Sequence, residues 1–403
     1  MPVPTSSLQR VTIVGGSLAG LRAAEALRAE GFDGAIRIVS AEDHLPFDRP
    51  PMSKQVLAGT WEPERARLRG PEDLEADWLL GRRATALDVA SYTVTLDDGS
   101  SLDGDGVVIA CGAFPRRLPA ALAPPELAGV HVVRTMADSL RLRDDLQRGT
   151  PVAVIGAGFI GSEVAATSSA SGADVTIVEA LPVPLERVLG PEMGRVAGRL
   201  HVANGVDLRL GTAVAGLEGD GEGRVARVRL LDGTAVEADV VVVGIGVVPD
   251  VGWLEGSGLT LADGVACDSR CQAAPGVVAA GDVARWYHEG LGTDLRVEHW
   301  TNAAEQGRAA ALALLHGEAA PAYRPVPYFW SDQYGTKIQF VGHARSGDAV
   351  TVVEGSPDEG RFVAAYARGG RLTGALLWNR AGRMAHWLNA IASGSPAPTV
   401  PAG

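Results

Sequence analysis

Three glycines and one glutamate carry the first legible chemistry. Gly156, Gly158 and Gly161 stand at G-x-G-x-x-G spacing in PVAVIGAGFIGSEVAATSSASGADVTIVE, residues 151–179, and Glu179 closes the stretch. The first glycine makes a tight turn. The second lets backbone N–H groups approach a pyrophosphate, and the third lets a helix pack on a strand. A helix N-terminus behind such a turn offers unpaired N–H groups and a positive dipole end to an anion. An acid ~20 residues on bonds the adenosine ribose hydroxyl. A carboxylate there also repels a 2′-phosphate, so the pattern points to NADH rather than NADPH.

Those residues need elements to hold them. Val152–Ile155 is a buried apolar run and predicts a strand. Ser162–Ser171 is Ala-rich and predicts a helix that Gly172 ends. Val175–Val178 predicts the next strand, with Glu179 as its last residue. A second copy lies upstream in VTIVGGSLAG, residues 11–20. Gly15 and Gly20 hold the first and third positions, but Ser17 occupies the middle one. Gly16 beside it lets the turn relax, and the Ser17 hydroxyl can itself donate to a phosphate oxygen. A helix over Leu21–Glu30 and a strand over Ala35–Val39 follow. The acid at that strand's end is displaced past Ser40 and Ala41 to Glu42 and Asp43. Two units suggest two dinucleotides in one chain, the alternative being two Rossmann halves with one ligand.

Composition narrows the class. A chain of 403 residues accommodates two or three domains. Its longest apolar run, Val240–Val248, is broken by glycines and falls far short of the ~20 residues of a membrane span. The N-terminus MPVPTSSLQR has no apolar signal core, which predicts a cytoplasmic protein. Three cysteines cannot make a disulfide framework. A net charge of −12 argues against nucleic acid and anionic membranes. Of 36 basic residues only Lys54 and Lys337 are lysines, so a compact ammonium is kept at two places.

The remaining chain predicts the frame. AEDHLPFDRPPMSK, residues 41–54, is a loop stiffened by Pro46, Pro50 and Pro51, with Asp48, Arg49, Ser53 and Lys54 as its polar groups. Residues 61–78 predict a loop and a short helical segment. Strands are predicted over Ala84–Val89, Thr93–Leu96 and Val107–Ala110, and residues 115–125 as a linker. Val130–Gln147 leads through Arg134 into a helix, and Met193–Asn204 is another. Val240–Gly246 and Val277–Asp282 predict strands ending in small residues, where a ligand or backbone passes close. Glu298-His299-Trp300 opens an Ala-rich helix that Gly317 ends. From Tyr323 the pattern becomes aromatic and alternating, with a helix over Arg383–Ser393, which predicts a separate α+β module.

The order of these pieces resembles the two-dinucleotide-binding flavoproteins, and within them the NADH-dependent ferredoxin reductases of the putidaredoxin reductase type. The matching stretches are VTIVGGSLAG, HLPFDRPPMSK, VVIACGAFPRRLP, VIGAGFIGSEVA, VVVGIGVVPD, VVAAGDVAR, RVEHWTNAAEQGRAA and VPYFWSDQYGTKIQFVG. The resemblance implies an α/β chain with two Rossmann-like domains and a C-terminal α+β domain. It implies FAD on residues 1–114 and 249–322, NADH on 115–248, and a third domain over 323–403. Electrons would leave singly to a [2Fe–2S] ferredoxin serving a cytochrome P450 or a ring-hydroxylating oxygenase. For FAD it implies Gly15, Gly16, Ser17, Leu18, Ala19, Gly20, Glu42, Arg49, Lys54, Thr85, Ala110, Gly112, Arg134, Gly281, Asp282, His299, Trp300 and Trp330. For NADH it implies Gly156, Gly158, Phe159, Ile160, Gly161, Glu163, Glu179, Arg187, Gly244, Ile245 and Gly246. Two departures stand out: Ser17 for a usual Gly, and Cys111 for a usual Thr before Gly112.

Hydride transfer is the cofactors' chemistry, and the protein supplies orientation and charge. No Ser/His/Asp signature, no CxxC and no clustered histidine ligands are present, so no metal is expected. The helix after the first turn has no cysteine pair, and Cys267 and Cys271 read as structural, which disfavours disulfide reduction. Lys54 and Glu163 are expected to form an ion pair near the flavin, with catalytic roles. An acidic ferredoxin needs a basic docking spot, for which Arg69, Arg308 and Lys337 are candidates, with Trp330 as the apolar anchor. The expected state is a monomer or weak homodimer. The alternatives on the same scaffold are an NADH oxidase, a rubredoxin reductase, or a redox-sensing flavoprotein resembling apoptosis-inducing factor.

Overall fold

The apolar runs that open each glycine motif lie inside two sheets, one parallel throughout and one parallel but for the edge strand Gln272–Ala274. The computed structural model describes residues 8–398 except Pro71 and Asp73. Its helices are α1 (Leu18–Ala29), α2 (Met136–Asp145), α3 (Phe159–Ala170), α4 (Glu186–Ala203), α5 (Trp300–His316) and α6 (Met384–Ala392). The chain divides into two discontinuous compact units. One comprises residues up to Asp48, Ala66–Phe114 and Val248–Pro325, and the other Arg49–Arg65, Pro115–Val247 and the chain from Val326 on.

In the first unit, the strand Arg10–Val14 pairs in parallel with Ala35–Ser40 on one side and Gly106–Ile109 on the other. Asp77–Leu80 extends one edge, and Val277–Ala279 then Gln272–Ala274 the other. Strands buried on both faces read as continuous apolar runs rather than as alternation, which is why they are recognisable in sequence. α1 and α5 pack together over one face, with Leu27, Ile36, Ala310 and Leu314 in the same core. A Cβ on Gly307 of α5 would lie 2.3 Å from the Ala19 carbonyl, so that glycine lets the helices touch. Trp78 corrects the reading of residues 61–78: it lies in the edge strand, not a helix. Pairing with Ala35–Ser40 and packing of Ala76 and Trp78 on the α1 core decide this, and neither is local.

In the second unit, the order is Asp207–Leu210, Asp174–Glu179, Pro151–Ile155, Val240–Val243 and Val130–His131, all parallel. α4 starts at Glu186, well before the expected Met193. Gly190, at φ +72°, followed by Pro191 breaks the helix there and hid its first turn. The chain from Tyr328 forms a five-stranded antiparallel sheet, ordered Tyr328–Gln333, Thr336–Gly342, Arg371–Trp378, Arg361–Arg368 and Ala349–Ser356. α4 covers one face of it through Leu185, Leu189, Met193 and Val196 against Phe329, Phe340 and Phe362. α6 covers the other through Trp387. This apolar contact, fully internal to the unit, is why the aromatic module packs with the second Rossmann sheet. Among the described residues no helix is long and apolar enough to cross a membrane.

Candidate functional site

Each glycine turn is built from the strand beneath it. In the second unit, Gly156 sits at φ +98°. A Cβ there would lie 2.5 Å from the Gly244 carbonyl. A Cβ on Gly161 would lie 2.0 Å from the Gly156 carbonyl, and one on Gly244 would lie 3.2 Å from Gly161 Cα. These glycines are required by the protein's own packing. Gly158 is different. It caps α3 with extended backbone, φ −75° and ψ −171°, and a Cβ there would meet nothing closer than the Gly244 carbonyl at 3.9 Å. Open space above a helix N-terminus fits a dinucleotide diphosphate lying against the backbone. Gly246 likewise has nothing near it at φ +97°, and Ile245, partly buried, packs against the core.

The other nicotinamide-nucleotide candidates fall around this turn with different tasks. Glu179 ends its strand as expected, and its carboxylate accepts the Ala157 N–H at 2.7 Å and the Leu181 N–H at 2.9 Å. It therefore holds the turn from the end of the strand. Ile160, in the first turn of α3, is 43% exposed. Phe159 is spent on packing, its ring 4.4 Å from that of Phe329. Arg187 is exposed in the first turn of α4, just after Leu185, whose N–H donates to the Ala157 carbonyl at 3.0 Å.

Lys54 and Glu163 meet. Lys54 Nζ lies 2.6 Å from Glu163 Oε2, and both side chains are largely buried. Ser53 Oγ donates to the same oxygen at 2.6 Å, and Ser331 Oγ donates to Oε1 at 2.7 Å. The Pro-rich loop that carries Lys54 packs within the second unit. Its 3₁₀ turn Pro50–Ser53 is pinned from two helices: Ser139 Oγ of α2 donates to the Met52 carbonyl, and Thr167 Oγ1 of α3 to the Ser53 carbonyl, each at 2.7 Å. Arg49 and Arg134 also meet, the Arg49 guanidinium donating to the Arg134 carbonyl at 2.7 Å. A Thr135–Asp138 capping box fixes that corner at the start of α2. A carboxylate that has lost its water needs such donors.

The first turn repeats the geometry. Gly15 is at φ +122°, and a Cβ there would lie 2.1 Å from the Ala110 carbonyl. A Cβ on Gly20 would lie 2.0 Å from the Gly15 carbonyl, and one on Gly16 would lie 2.6 Å from Ser40 Cβ. Ser17 caps α1 with extended backbone and makes no side-chain cap bond, which leaves its hydroxyl for a ligand. Leu18 and Ala19 are buried in the helix. The turn offers FAD the same strand, turn and helix backbone as the second, with a hydroxyl at the middle position. Val277–Ala279 is shorter than the strand expected through Asp282, because Gly281–Val283 turns as a 3₁₀ helix. Gly281, at φ +78°, donates its N–H to Gln306 Oε1 at 2.9 Å. His299 caps α5, and the Trp300 indole N–H donates to Asp48 Oδ1 at 2.6 Å. Glu42 follows the second strand, its N–H donating to Ser40 Oγ and its carbonyl accepting from Gly81. Gly112, at φ +77°, accepts from Asp250 N–H at 3.0 Å. Thr85 sits at a register shift, and its hydroxyl turns back to the Thr95 and Leu96 carbonyls, so what it offers a cofactor is backbone.

The basic docking candidates are less free than expected. Lys337 pairs with Asp332 at 2.9 Å, and Arg308 lies 3.9 Å from Glu30. Neither presents an uncompensated charge. Arg69 is exposed. Tyr328 and Trp330 stack at 6.0 Å on the half-buried face of their strand, with Asp332 beside them. The thiols are poor nucleophiles: burial pushes Cys111 and Cys271 up to about 12 and raises Cys267 well above its ordinary value. Cys111 Sγ donates to the Asp250 carbonyl. Among the described residues no His, Cys, Asp and Glu cluster is arranged to hold a metal.

The family model described as pyridine nucleotide-disulphide oxidoreductase matches residues 9–307. The chain belongs to this family. A second model, described as reductase C-terminal, matches residues 328–401. The chain is 38% identical to the 5,5'-dehydrodivanillate O-demethylase ferredoxin reductase subunit of Sphingobium sp., over 91% of this chain and 89% of that one. It is 36% identical to the putidaredoxin reductase of Pseudomonas putida, over 92% and 88%. Among solved structures it is similar to the covalent putidaredoxin reductase–putidaredoxin complex, with a TM-score of 0.91 and 34% identity over 96% of this chain and 94% of that one. Family members bind FAD and a nicotinamide nucleotide.

Sequence reading missed the donors behind these residues. Ser331, Gln333, Asn302 and Gln306 are buried polar side chains in otherwise apolar surroundings. The signal was there for two of them: Ser331 and Gln333 alternate with Tyr328, Trp330 and Asp332, and so occupy the inward face with Phe329.

Proposed function

We propose that this protein is an FAD-containing NADH:ferredoxin reductase that supplies an oxygenase or a cytochrome P450. The observation that carries the reading is the pair of glycine turns in one chain, joined to the reductase C-terminal module. The likeness to ferredoxin reductase components of oxygenase systems and to a putidaredoxin-bound reductase supports it. In this reading FAD occupies residues 1–114 and 249–322, NADH occupies 115–248, and residues 323–403 form the third domain. FAD, when bound, takes two electrons from NADH and hands them on singly. The chain's own groups bind and orient. The Gly156 turn and the α3 N-terminus hold the NADH diphosphate, and Glu179 holds the adenosine ribose. The Gly15 turn, Ser17 and α1 do the same for the FAD diphosphate. Lys54 is a fixed cation, kept in place by Glu163, and a preorganised charge in a water-poor site favours the arrival of negative charge.

The electron acceptor is a small [2Fe–2S] ferredoxin. Trp330 is its apolar anchor, stacked with Tyr328 on the half-buried face of its strand; Arg308 and Lys337 are already paired with Glu30 and Asp332, which leaves exposed Arg69 as the basic candidate whose charge would change encounter rate more than affinity. In this reading the enzyme works in the cytoplasm as a monomer or weak homodimer; its three unpaired cysteines suit a reducing compartment. The test is NADH-driven reduction of an added [2Fe–2S] ferredoxin compared with oxygen. Turnover with ferredoxin well above the oxygen rate is expected. A fast oxygen reaction without ferredoxin turnover would instead make it an NADH oxidase.

A further inference from the structure

We propose that Ser331 and Gln333 are positioning residues for Glu163, forming a chain of donors that fixes the Lys54–Glu163 pair from the aromatic sheet. Glu163 is 4% exposed, Ser331 0% and Gln333 1%. An ionised carboxylate only accepts hydrogen bonds, so the single Ser331 hydroxyl proton points to Glu163 Oε1, 2.7 Å away. The contact between Ser331 Oγ and Gln333, at 3.1 Å, must therefore be donated by the Gln333 amide. That orientation leaves the buried Gln333 Oε1 without a partner. An unsatisfied buried acceptor is costly. The side chain is thus held by what its NH₂ does.

The three groups point one way: Gln333 donates to Ser331, and Ser331 donates to Glu163. Lys54 and Ser53 crowd Oε2 from the loop side. Among the described residues Ser331 alone donates to Oε1, so it sets the rotation of the carboxylate, and with it the place of the Lys54 ammonium. Among the described residues the Lys54 ammonium bonds to Pro50, Ser53 and Glu163, not to Ser331 or Gln333. A strand of the C-terminal module thereby tunes a loop cation from the far side of the carboxylate.

This inference rests on the reading of Lys54 and Glu163 as the pair that governs reduction. Its test has a readout that does not. Holoenzyme labelled with ¹⁵N-lysine has two lysine side chains to observe, Lys54 and Lys337. In Ser331→Ala the Lys54 ammonium signal should shift or broaden while that of Lys337 stays. The limiting rate of flavin reduction by NADH should fall about tenfold, the scale of one hydrogen bond to a charged group. NADH affinity and melting temperature should stay near wild type. Ser331→Thr, which keeps the hydroxyl, should restore both signal and rate, and Gln333→Met should give a smaller change in the same direction. An unmoved Lys54 signal in Ser331→Ala would overturn the proposal, as would a loss of melting temperature with a wild-type limiting rate. A wild-type enzyme that passes no electrons to ferredoxin, but whose Lys54 signal answers to Ser331→Ala, would overturn the functional reading alone.

Discussion

The two glycine turns share a backbone and differ in what stands on it. Gly15 and Gly156 both have positive φ and both sit under a neighbouring carbonyl. Gly20 and Gly161 each leave 2.0 Å between an added Cβ and the first glycine's carbonyl. The middle positions, Ser17 and Gly158, are both extended helix caps that any residue can adopt. The outer glycines therefore serve the protein's own packing, whereas Gly158 leaves open space above it. The same registration extends outward. Ser40 stands where Glu179 stands, since Gly15 and Gly156 donate to Val39 and Val178 alike. Arg22 stands where Glu163 stands. It makes a partly exposed i,i+3 pair with Glu25, whereas Glu163 is buried against Lys54. One scaffold carries packing in common and chemistry in the differences.

The largest effect is expected at the outer glycines. Gly20→Ala and Gly161→Ala should each destabilise by ~3 kcal/mol or more, because a Cβ cannot occupy the space of a carbonyl. Thermal unfolding measures this. If Gly158→Ala lowers the melting temperature as much as Gly161→Ala, the division of labour between the positions is wrong.

Lys54→Met tests the contrast between Arg22 and Glu163. It should slow flavin reduction by NADH by about ten- to a hundredfold, with little change in NADH affinity, read by stopped-flow at varied NADH. A surface pair is worth ~0–1 kcal/mol, so Arg22→Met should leave the rate alone. Wild-type rates in Lys54→Met would reduce the pair to architecture.

Glu179→Gln sharpens the contrast with Ser40. Gln keeps an acceptor for the Ala157 N–H but removes the repulsion of a 2′-phosphate. The kcat/KM preference for NADH over NADPH should narrow by about tenfold, the scale of one charge interaction near a surface. An unchanged ratio would leave Glu179 with the turn alone.

The smallest effect is expected from exchanging the middle residues. Ser17→Gly should leave the melting temperature of the apoprotein unchanged and weaken FAD retention by a few-fold, the scale of one neutral hydrogen bond. Equilibrium titration of apoprotein with FAD measures it. Tighter binding in Ser17→Gly would mean that the Cβ obstructs the diphosphate more than the hydroxyl helps it.

Much of this was legible in the sequence, for reasons that are local. A parallel strand buried on both faces has to be an apolar run, so Val11–Val14 and Val152–Ile155 announce themselves. A turn with positive φ under a carbonyl has to be glycine, so Gly15, Gly20, Gly156 and Gly161 do too. The scarcity of lysine marked Lys54, and an acid near the start of a helix marked Glu163. What tertiary structure alone decided is who stands behind them. Ser331 is far from Glu163 in sequence, and its hydroxyl matters only because the aromatic sheet packs on α3 and α4. Trp78 became a strand through a neighbour, and Lys337 lost its apparent freedom to Asp332. Turns and apolar runs are set by the few residues around them, whereas the partners of a buried charge are set by which distant surfaces close over it.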